Sequence, residues 1–431
     1  MKWSQISLGE ILHVKHGWAF KSESFSDTGE HIVLTPGNFY EEGGFKPRGD
    51  KDRFYSGDYP FEYLLSKDNL IVAMTEQGEG LLGSTALISE DNRYLHNQRL
   101  GLVTIKDNVD ADLFFVYKLF NTQMVRQQIS GSASGAKVKH TAPERIYKCK
   151  VHLPPIQIQQ KIATILSAYD DLIENNLKRI KLLEEMAQIT YEEWFVRLKF
   201  PGHETTPMDS ETGLPVEWEK RKLQKFCEKI TDGTHESPKE VENGFKLVTG
   251  KHILNGFIDF ETAYSISEED HLNIKKRSGL NKGDILFSNI GTLGNIAVVT
   301  QDFEFSCKNV VIFKYKNGYS NFLYTYLANE NTKNKLSGQS AGVAQKFYSL
   351  KFIRNFDDFF PPNELIEEFD GMVKSYYELK YNLHSQNQLL KEARDILLPR
   401  LMTGMIDVEQ LVLPELSSNT PSSPEQEPKA A

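Results

Sequence analysis

The chain has 431 residues, 39% hydrophobic and 25% charged, with 50 Lys and Arg against 59 Asp and Glu for a formal charge of -9. This is an ordinary globular composition with enough chain for two or three domains, so wholesale disorder and a fibrous repeat are excluded. The net acidity excludes nucleic-acid binding by bulk charge and leaves only local basic clusters to support it.

The start, MKWSQISLGE, lacks the basic and apolar regions of a secretory leader, and no apolar run reaches eighteen residues. A soluble, cytoplasmic protein is therefore expected. Cys149, Cys227 and Cys307 are too far apart for a CxxC metal pair and read as reduced thiols.

From 1 to 153 the chain is a series of short β-prone runs, such as 69–74 and 100–105, broken by Gly, Asn and Asp clusters. GEGLLG at 78–83 is a literal GxGxxG. A dinucleotide site needs a helix next, whereas STALISED is short and β-branched, so a hairpin is predicted. LHNQRLGLV presents Asn97, Gln98 and Arg99, residue types that either pair with purine edges in the major groove or cap turns. GSASGAKVKH, from Gly131, sets Lys137, Lys139 and His140 among small residues that permit close approach to phosphates. The surrounding 131–153 holds five basic residues against one acid. For one such loop alone, a solvated surface with ordinary lysines is an equal alternative.

Pro154 and Pro155 open a stretch without glycine until Gly202, which predicts a helical spacer over 154–200, followed by a linker at 201–217. Its stripe is Ile173, Asn176, Ile180, Leu183, Ala187, Thr190 and Trp194. The organisation then recurs. HLPPIQIQQKIATIL, from His152, matches FFPPNELIEEFDGMV, from Phe359, and the same 207-residue offset aligns ISGSASGAK with LSGQSAGVA. The second β-rich module, 218–360, offers Lys308 and Asn309 in FSCKNVVIF, and Gln345 and Lys346 in GQSAGVAQKF. A second helix is predicted over 361–405, with the stripe Leu379, Leu383, Gln386, Leu390, Ala393 and Leu397. Lys380, Asn387 and Arg394 occupy the shifted positions of Ile173, Ile180 and Ala187, so the two stripes differ in phase. Two matching stripes predict that the helices pack on each other, with Asn176 either buried to fix register or merely exposed. The acidic, Pro- and Ser-rich 406–431 is expected to be a disordered tail.

The fold class expected is α+β, with two α/β modules in tandem, each followed by a long helix. No GxxxxGK[ST], HExxH or Asn-Pro-Pro-aromatic motif is present, and His13 and His16 lack a carboxylate or cysteine companion. No catalytic residue, metal ligand or cofactor site is nominated.

The arrangement resembles the specificity (S) subunit of Type I restriction-modification systems. The resemblance covers nearly the whole chain and rests on the tandem modules, the LPPIQIQQKIATIL and FPPNELIEEF helix openings, YEEWF, and LLKEARDILLPRLMTGMID. It implies a non-catalytic protein whose two target-recognition domains each read half of a bipartite double-stranded DNA site. It also implies that the two helices pair as an antiparallel coiled coil, acting as a spacer and docking two modification and two restriction subunits. The S-adenosylmethionine for adenine-N6 methylation, and the ATP and Mg of translocation and cleavage, would sit on those partners. Spacing and docking are carried over to Ile173, Asn176, Ile180, Leu183, Leu383, Leu390 and Leu397 as members of the helical segments. The alternatives are a protein-interaction scaffold without DNA readout, and a fused nuclease or methyltransferase with unrecognised motifs.

Overall fold

A computed structural model describes residues 3–412 apart from 77, 79, 136, 137, 255, 292, 317, 318 and 340–346. Most of the expected tail lies outside the described residues. The chain forms two compact units, Met1–Ile173 with Gln388–Ala431, and Glu174–Asn387.

In the first unit a four-stranded antiparallel sheet runs in the order Leu12–His16, Leu100–Ile105, Leu70–Ala73, Thr85–Leu87. The run LIVA is apolar throughout because both faces of its strand are covered. Leu70 and Val72 enter a core with Phe115 and Leu119 of helix Leu113–Phe120, while Ile71 and Ala73 enter a second core with Ile32, Leu34 and Tyr94. Strands Leu70–Ala73 and Thr85–Leu87, on either side of the hairpin predicted at 78–83, pair antiparallel, and Gly80 and Gly83 take positive φ. A further ribbon pairs Ser4–Ser7 with Lys150–Leu153.

The second unit repeats this plan. Its sheet order is Cys227–Asp232, Val310–Tyr315, Ile285–Ser288, Ile296–Val298, and Glu219–Lys222 pairs with Asp357–Phe360. Ile285 and Phe287 face a core with Phe322 and Phe369, whereas Leu286 and Ile312 face one with Val248 and Phe305. In both units the second core is framed by one parallel strand contact, Ile32 with Tyr94 and Leu247 with Ser306.

Each β-rich module ends at a Pro-Pro pair, after which the backbone becomes helical. The central helix is Ile156–Tyr191 and the C-terminal helix Asn363–Met402. The first bond of the central helix is Ile158 N–H to Pro155 O at 2.9 Å, leaving proline at a position whose missing N–H costs nothing. YEEWF forms a π turn at Glu192–Val196 and closes with Leu198 at φ 59. The turn directs Tyr191, Trp194 and Phe195 into the second unit's core, where Phe195 lies 5.1 Å from Phe369 and 5.4 Å from Phe322 between ring centroids. Burial of such a ring stabilises by about 1.5–3 kcal/mol.

The two long helices pack antiparallel, as a coiled coil does. In the first unit Asp170 meets Arg394; in the second Asn176 meets Asn387 and Glu184 meets Lys380. The seam of the C-terminal helix differs from the apolar stripe read in the sequence. Lys380, Leu383 and Asn387 are buried and Arg394 partly so, while Leu379 and Gln386 are exposed. The 207-residue offset pointed to the correct positions, and apolar character alone favoured the adjacent ones. Polar side chains occupy the seam because each finds its partner on the facing helix.

Candidate nucleic-acid interface

In the first unit the chain leaves strand Leu12–His16 at Gly17 and runs beside the segment that leads into Leu100–Ile105. Gly17 N–H donates to Leu100 O (3.2 Å), Trp18 N–H to His96 O (2.8 Å) and Gln98 N–H to Trp18 O (3.0 Å). In the second unit Gly233 N–H donates to Val310 O (3.0 Å), Thr234 N–H to Cys307 O (3.0 Å) and Asn309 N–H to Thr234 O (3.1 Å). Both approaches require glycine. A Cβ on Gly17 would stand 2.1 Å from Asn97 O, and one on Gly233 2.1 Å from Cys307 O. The nominated residues Asn97 to Arg99, and Lys308 with Asn309, therefore occupy one place in a shared scaffold, and the first copy has one residue more.

What the two copies display there differs. In the first, Gln98 and Arg99 are exposed, whereas Asn97 is 8% exposed and its Oδ1 accepts from Arg99 N–H at 3.0 Å, so it shapes the turn. Beside them Trp18 is exposed and leans on Tyr63, the rings tilted by 41° with centroids 5.4 Å apart, and the Lys15 ammonium sits 4.5 Å over the Tyr63 ring. In the second, Asn309 takes a left-handed φ of 52, and its Oδ1 lies 2.8 Å from His235 Nδ1. His235 Nε2 lies 2.9 Å from the buried carboxylate of Asp232, which also binds the guanidinium of Arg277. Lys308 reaches the hydroxyl of Ser237. Sequence reading missed Trp18, His235 and Arg277; the available signal was the recurring glycine one or two residues ahead of Trp18 and His235.

The basic loop joins this place in the first unit. Met74, just past strand Leu70–Ala73, donates its N–H to Arg99 O (3.0 Å) and accepts at its carbonyl from Thr141 N–H (2.9 Å). The strand-entrance residues and the loop thus flank one strand end. His140 pairs with Ser134 and places Nδ1 3.1 Å from Thr75 Oγ1, while Lys139 is half-exposed with Nζ 3.9 Å from Glu76. In the second unit Asn289 and Tyr348 exchange bonds of 3.0 and 2.9 Å at the corresponding strand end. Lys137, Gln345 and Lys346 lie outside the described residues.

His96, under this turn, is fully buried. Nε2 bonds Leu100 O at 3.1 Å, and Nδ1 has no partner. Burial holds its pKa down to about 4. The fold therefore keeps the ring neutral while the unfolded chain binds a proton below about 6.5, so stability is full above that pH and falls progressively towards pH 4. Between pH 7 and 4.5 the loss assigned to His96 is roughly 2–3 kcal/mol. Thermal melts of the wild type and His96→Gln at both pH values measure it, and equal pH sensitivity in the two would remove the assignment.

The helix residues divide by orientation. Ile173, Asn176, Ile180 and Leu383 are buried, and Leu183, Leu390 and Leu397 half-buried, in the helical seam. The apolar side chains exposed on these helices are others, among them Leu177, Leu182, Ile189, Leu389 and Ile396. Burial pushes the thiols up to about 11 at Cys149 and about 12 at Cys227 and Cys307, away from reactivity at neutral pH. Among the described residues no helix is long and apolar enough to cross a membrane, and no three His, Cys, Asp or Glu side chains gather as a metal site would need.

A family model described as Type I restriction modification DNA specificity domain matches residues 1–185 and 215–364. The chain is 27% identical over 324 residues to the Type I restriction enzyme MjaIX specificity subunit of Methanocaldococcus jannaschii, spanning 73% of each. It is 25% identical over 393 residues to the Type I restriction enzyme EcoBI specificity subunit of Escherichia coli, covering 88% of this chain and 79% of that one. The S subunit of a Type-I restriction-modification system from M. genitalium superposes with a TM-score of 0.56 at 16% identity, covering 93% of this chain and 96% of that one, which is a likeness of fold.

Proposed function

The chain belongs to the family of Type I restriction-modification DNA specificity subunits, with two recognition domains in tandem, and from that premise we propose that it reads a bipartite double-stranded DNA target without catalysing a reaction itself. The observation that carries this reading is the repeated strand entrance. Gly17 and Gly233 hold the same backbone arrangement, while Trp18, Gln98 and Arg99 stand where the other copy has Thr234, His235 and Asn309. A constant scaffold with a changed polar display is what two readers of different half-sites need.

In this proposal the long helices space the half-sites and, through their exposed apolar residues, dock two methyltransferase and two restriction subunits in the cytoplasm. The partners bring S-adenosylmethionine for adenine-N6 methylation, and ATP and Mg for translocation and cleavage. Mapping of adenine methylation by single-molecule sequencing, with this gene present and deleted and its modification partner intact, tests the reading. A split motif that vanishes on deletion is expected. An unchanged methylation pattern, in cells where the assembled complex is recovered, refutes it.

Lys139 is assigned a phosphate contact. Lys139→Ala is expected to weaken binding of the assembled complex equally on cognate and scrambled duplexes, and to lower the slope of log K against log salt by about 1. A selective loss on the cognate duplex would move Lys139 to base readout. For His235 and Asn309 the expected effect of alanine is relaxation of one half-site only, by about 1–3 kcal/mol per base pair misread.

A further inference from the structure

We propose that the polar side chains in the helical seam select a single axial register for the two long helices, and through it the gap between the half-sites; the second step rests on the specificity reading above. Lys380, Asn387 and Arg394 are spaced by sevens on the C-terminal helix. Each meets a polar partner on the central helix. Lys380 Nζ lies 2.6 Å from Glu184 Oε1, Asn176 Nδ2 donates to Asn387 Oδ1 at 2.9 Å, and Arg394 Nη1 donates to Asp170 Oδ1 at 2.8 Å. Exposure is 0% at Lys380, 4% at Asn387 and 7% at Asn176.

An apolar seam would hold two helices together as well or better, because a buried ion pair repays its desolvation only with good geometry. It would also be degenerate, since a leucine-like repeat packs nearly as well after a slip of seven residues. The polar contacts remove that freedom. Slipped one heptad in either direction, Lys380 comes level with Tyr191 or with Leu177, and its ammonium is buried without a carboxylate.

The same contacts grip the recognition domains. Within the second unit Lys380 also donates to Tyr324 Oη at 3.0 Å and sits among the rings of Phe257, Tyr324, Tyr377 and Tyr381, with centroids at 4.8–5.8 Å. Gly256, at φ 78, packs against this cluster: a Cβ there would come 2.5 Å from the Lys380 ammonium and 2.9 Å from the Glu184 carboxylate, and the ion pair would have to shift. Within the first unit Asp170 holds both Arg394 and the ammonium of Lys118. Tyr324 and Lys118 belong to corresponding helices, Ser320–Ala328 and Leu113–Phe120, so in both units a seam ion pair is bonded to the same element of the recognition domain. A slip of the helices would break those attachments as well.

The test combines cross-linking with target mapping, on the full chain assembled with its partner subunits. Ile180→Cys with Leu383→Cys puts thiols at positions that the register brings level; Ile180→Cys with Leu390→Cys puts them one heptad out. With the native seam only the first pair is expected to form a disulfide, and methylation to show one gap. With the apolar seam Asp170→Leu/Asn176→Leu/Glu184→Leu/Lys380→Leu/Asn387→Leu/Arg394→Leu, carrying Lys118→Met so that no ammonium is left without Asp170, both pairs are expected to cross-link, the out-of-register product rising at least tenfold. The methylated motif should keep its half-sites and acquire a second gap. If that variant does not fold, Lys118→Met/Asp170→Asn/Asn176→Leu/Glu184→Gln/Lys380→Met/Asn387→Leu/Arg394→Met removes the seam charges and the amide pair at nearly constant shape and is read the same way. Cross-linking confined to the native pair in the neutral-seam variant overturns the register inference. Slipped cross-links beside a wild-type chain that directs no split motif would uphold the register and refute the specificity reading.

Discussion

Gly17→Val and Gly233→Val are each expected to abolish target discrimination while leaving most of the fold intact. The added side chain would begin 2.1 Å from a backbone carbonyl oxygen, Asn97 O in one unit and Cys307 O in the other, and backbone cannot swing aside as a long side chain can. The loop must instead separate from the strand entrance, breaking the Trp18–His96 and Gln98–Trp18 bonds in the first unit or the Thr234–Cys307 and Asn309–Thr234 bonds in the second. Displacing the readers of two or three base pairs is worth at least about 2 kcal/mol, roughly thirtyfold in affinity for the cognate duplex. Binding to scrambled DNA, dominated by phosphate contacts, should change little. Gly371→Ala is the control, because nothing lies within 4 Å of its Cβ on an exposed helical face. Titration of the assembled complexes with both duplexes measures the ratio. A folded Gly17→Val complex with an unaltered ratio would mean that this strand end does not face DNA.

Adding one heptad to both long helices, after Leu183 and after Lys380, is expected to lengthen the gap in the methylated motif without altering either half-site. Seven residues add about 10 Å of helix, the rise of about three base pairs. A whole heptad also returns the seam to the same face, and these insertion points leave Asp170–Arg394, Asn176–Asn387 and Glu184–Lys380 paired as they are. Three base pairs turn the duplex by roughly a quarter-turn or more, so methylation at the new target should be weaker than at the old. Four residues inserted near Leu183 alone would carry Glu184 away from Lys380, and destabilisation is the expected result there. Methylation mapping reads the outcome, and the original gap in a folded two-heptad variant would refute the spacer role.

A good deal of this protein is determined locally. The tandem organisation was legible because the Pro-Pro helix openings and the Gly-bounded hairpins recur at a nearly constant offset. Continuous apolar runs such as LIVA announced strands covered on both faces, and the long glycine-free stretches announced the helices. These features rest on backbone propensity and periodicity, which neighbouring residues largely decide. What they could not decide is which polar residues have partners. Asn97 reads as a base contact until its amide oxygen is found closing its own turn, and Asn309 needed His235, Asp232 and Arg277, brought from well apart in the chain, to become part of a network. The seam makes the same point. Helical spacing from Leu383 and Leu390 favoured Leu379 and Gln386, yet those are exposed and the fold turns Lys380 and Asn387 inward, with Arg394 half-buried. A charge is costly to bury alone and tolerable when paired, and its partner stands on a helix some two hundred residues away.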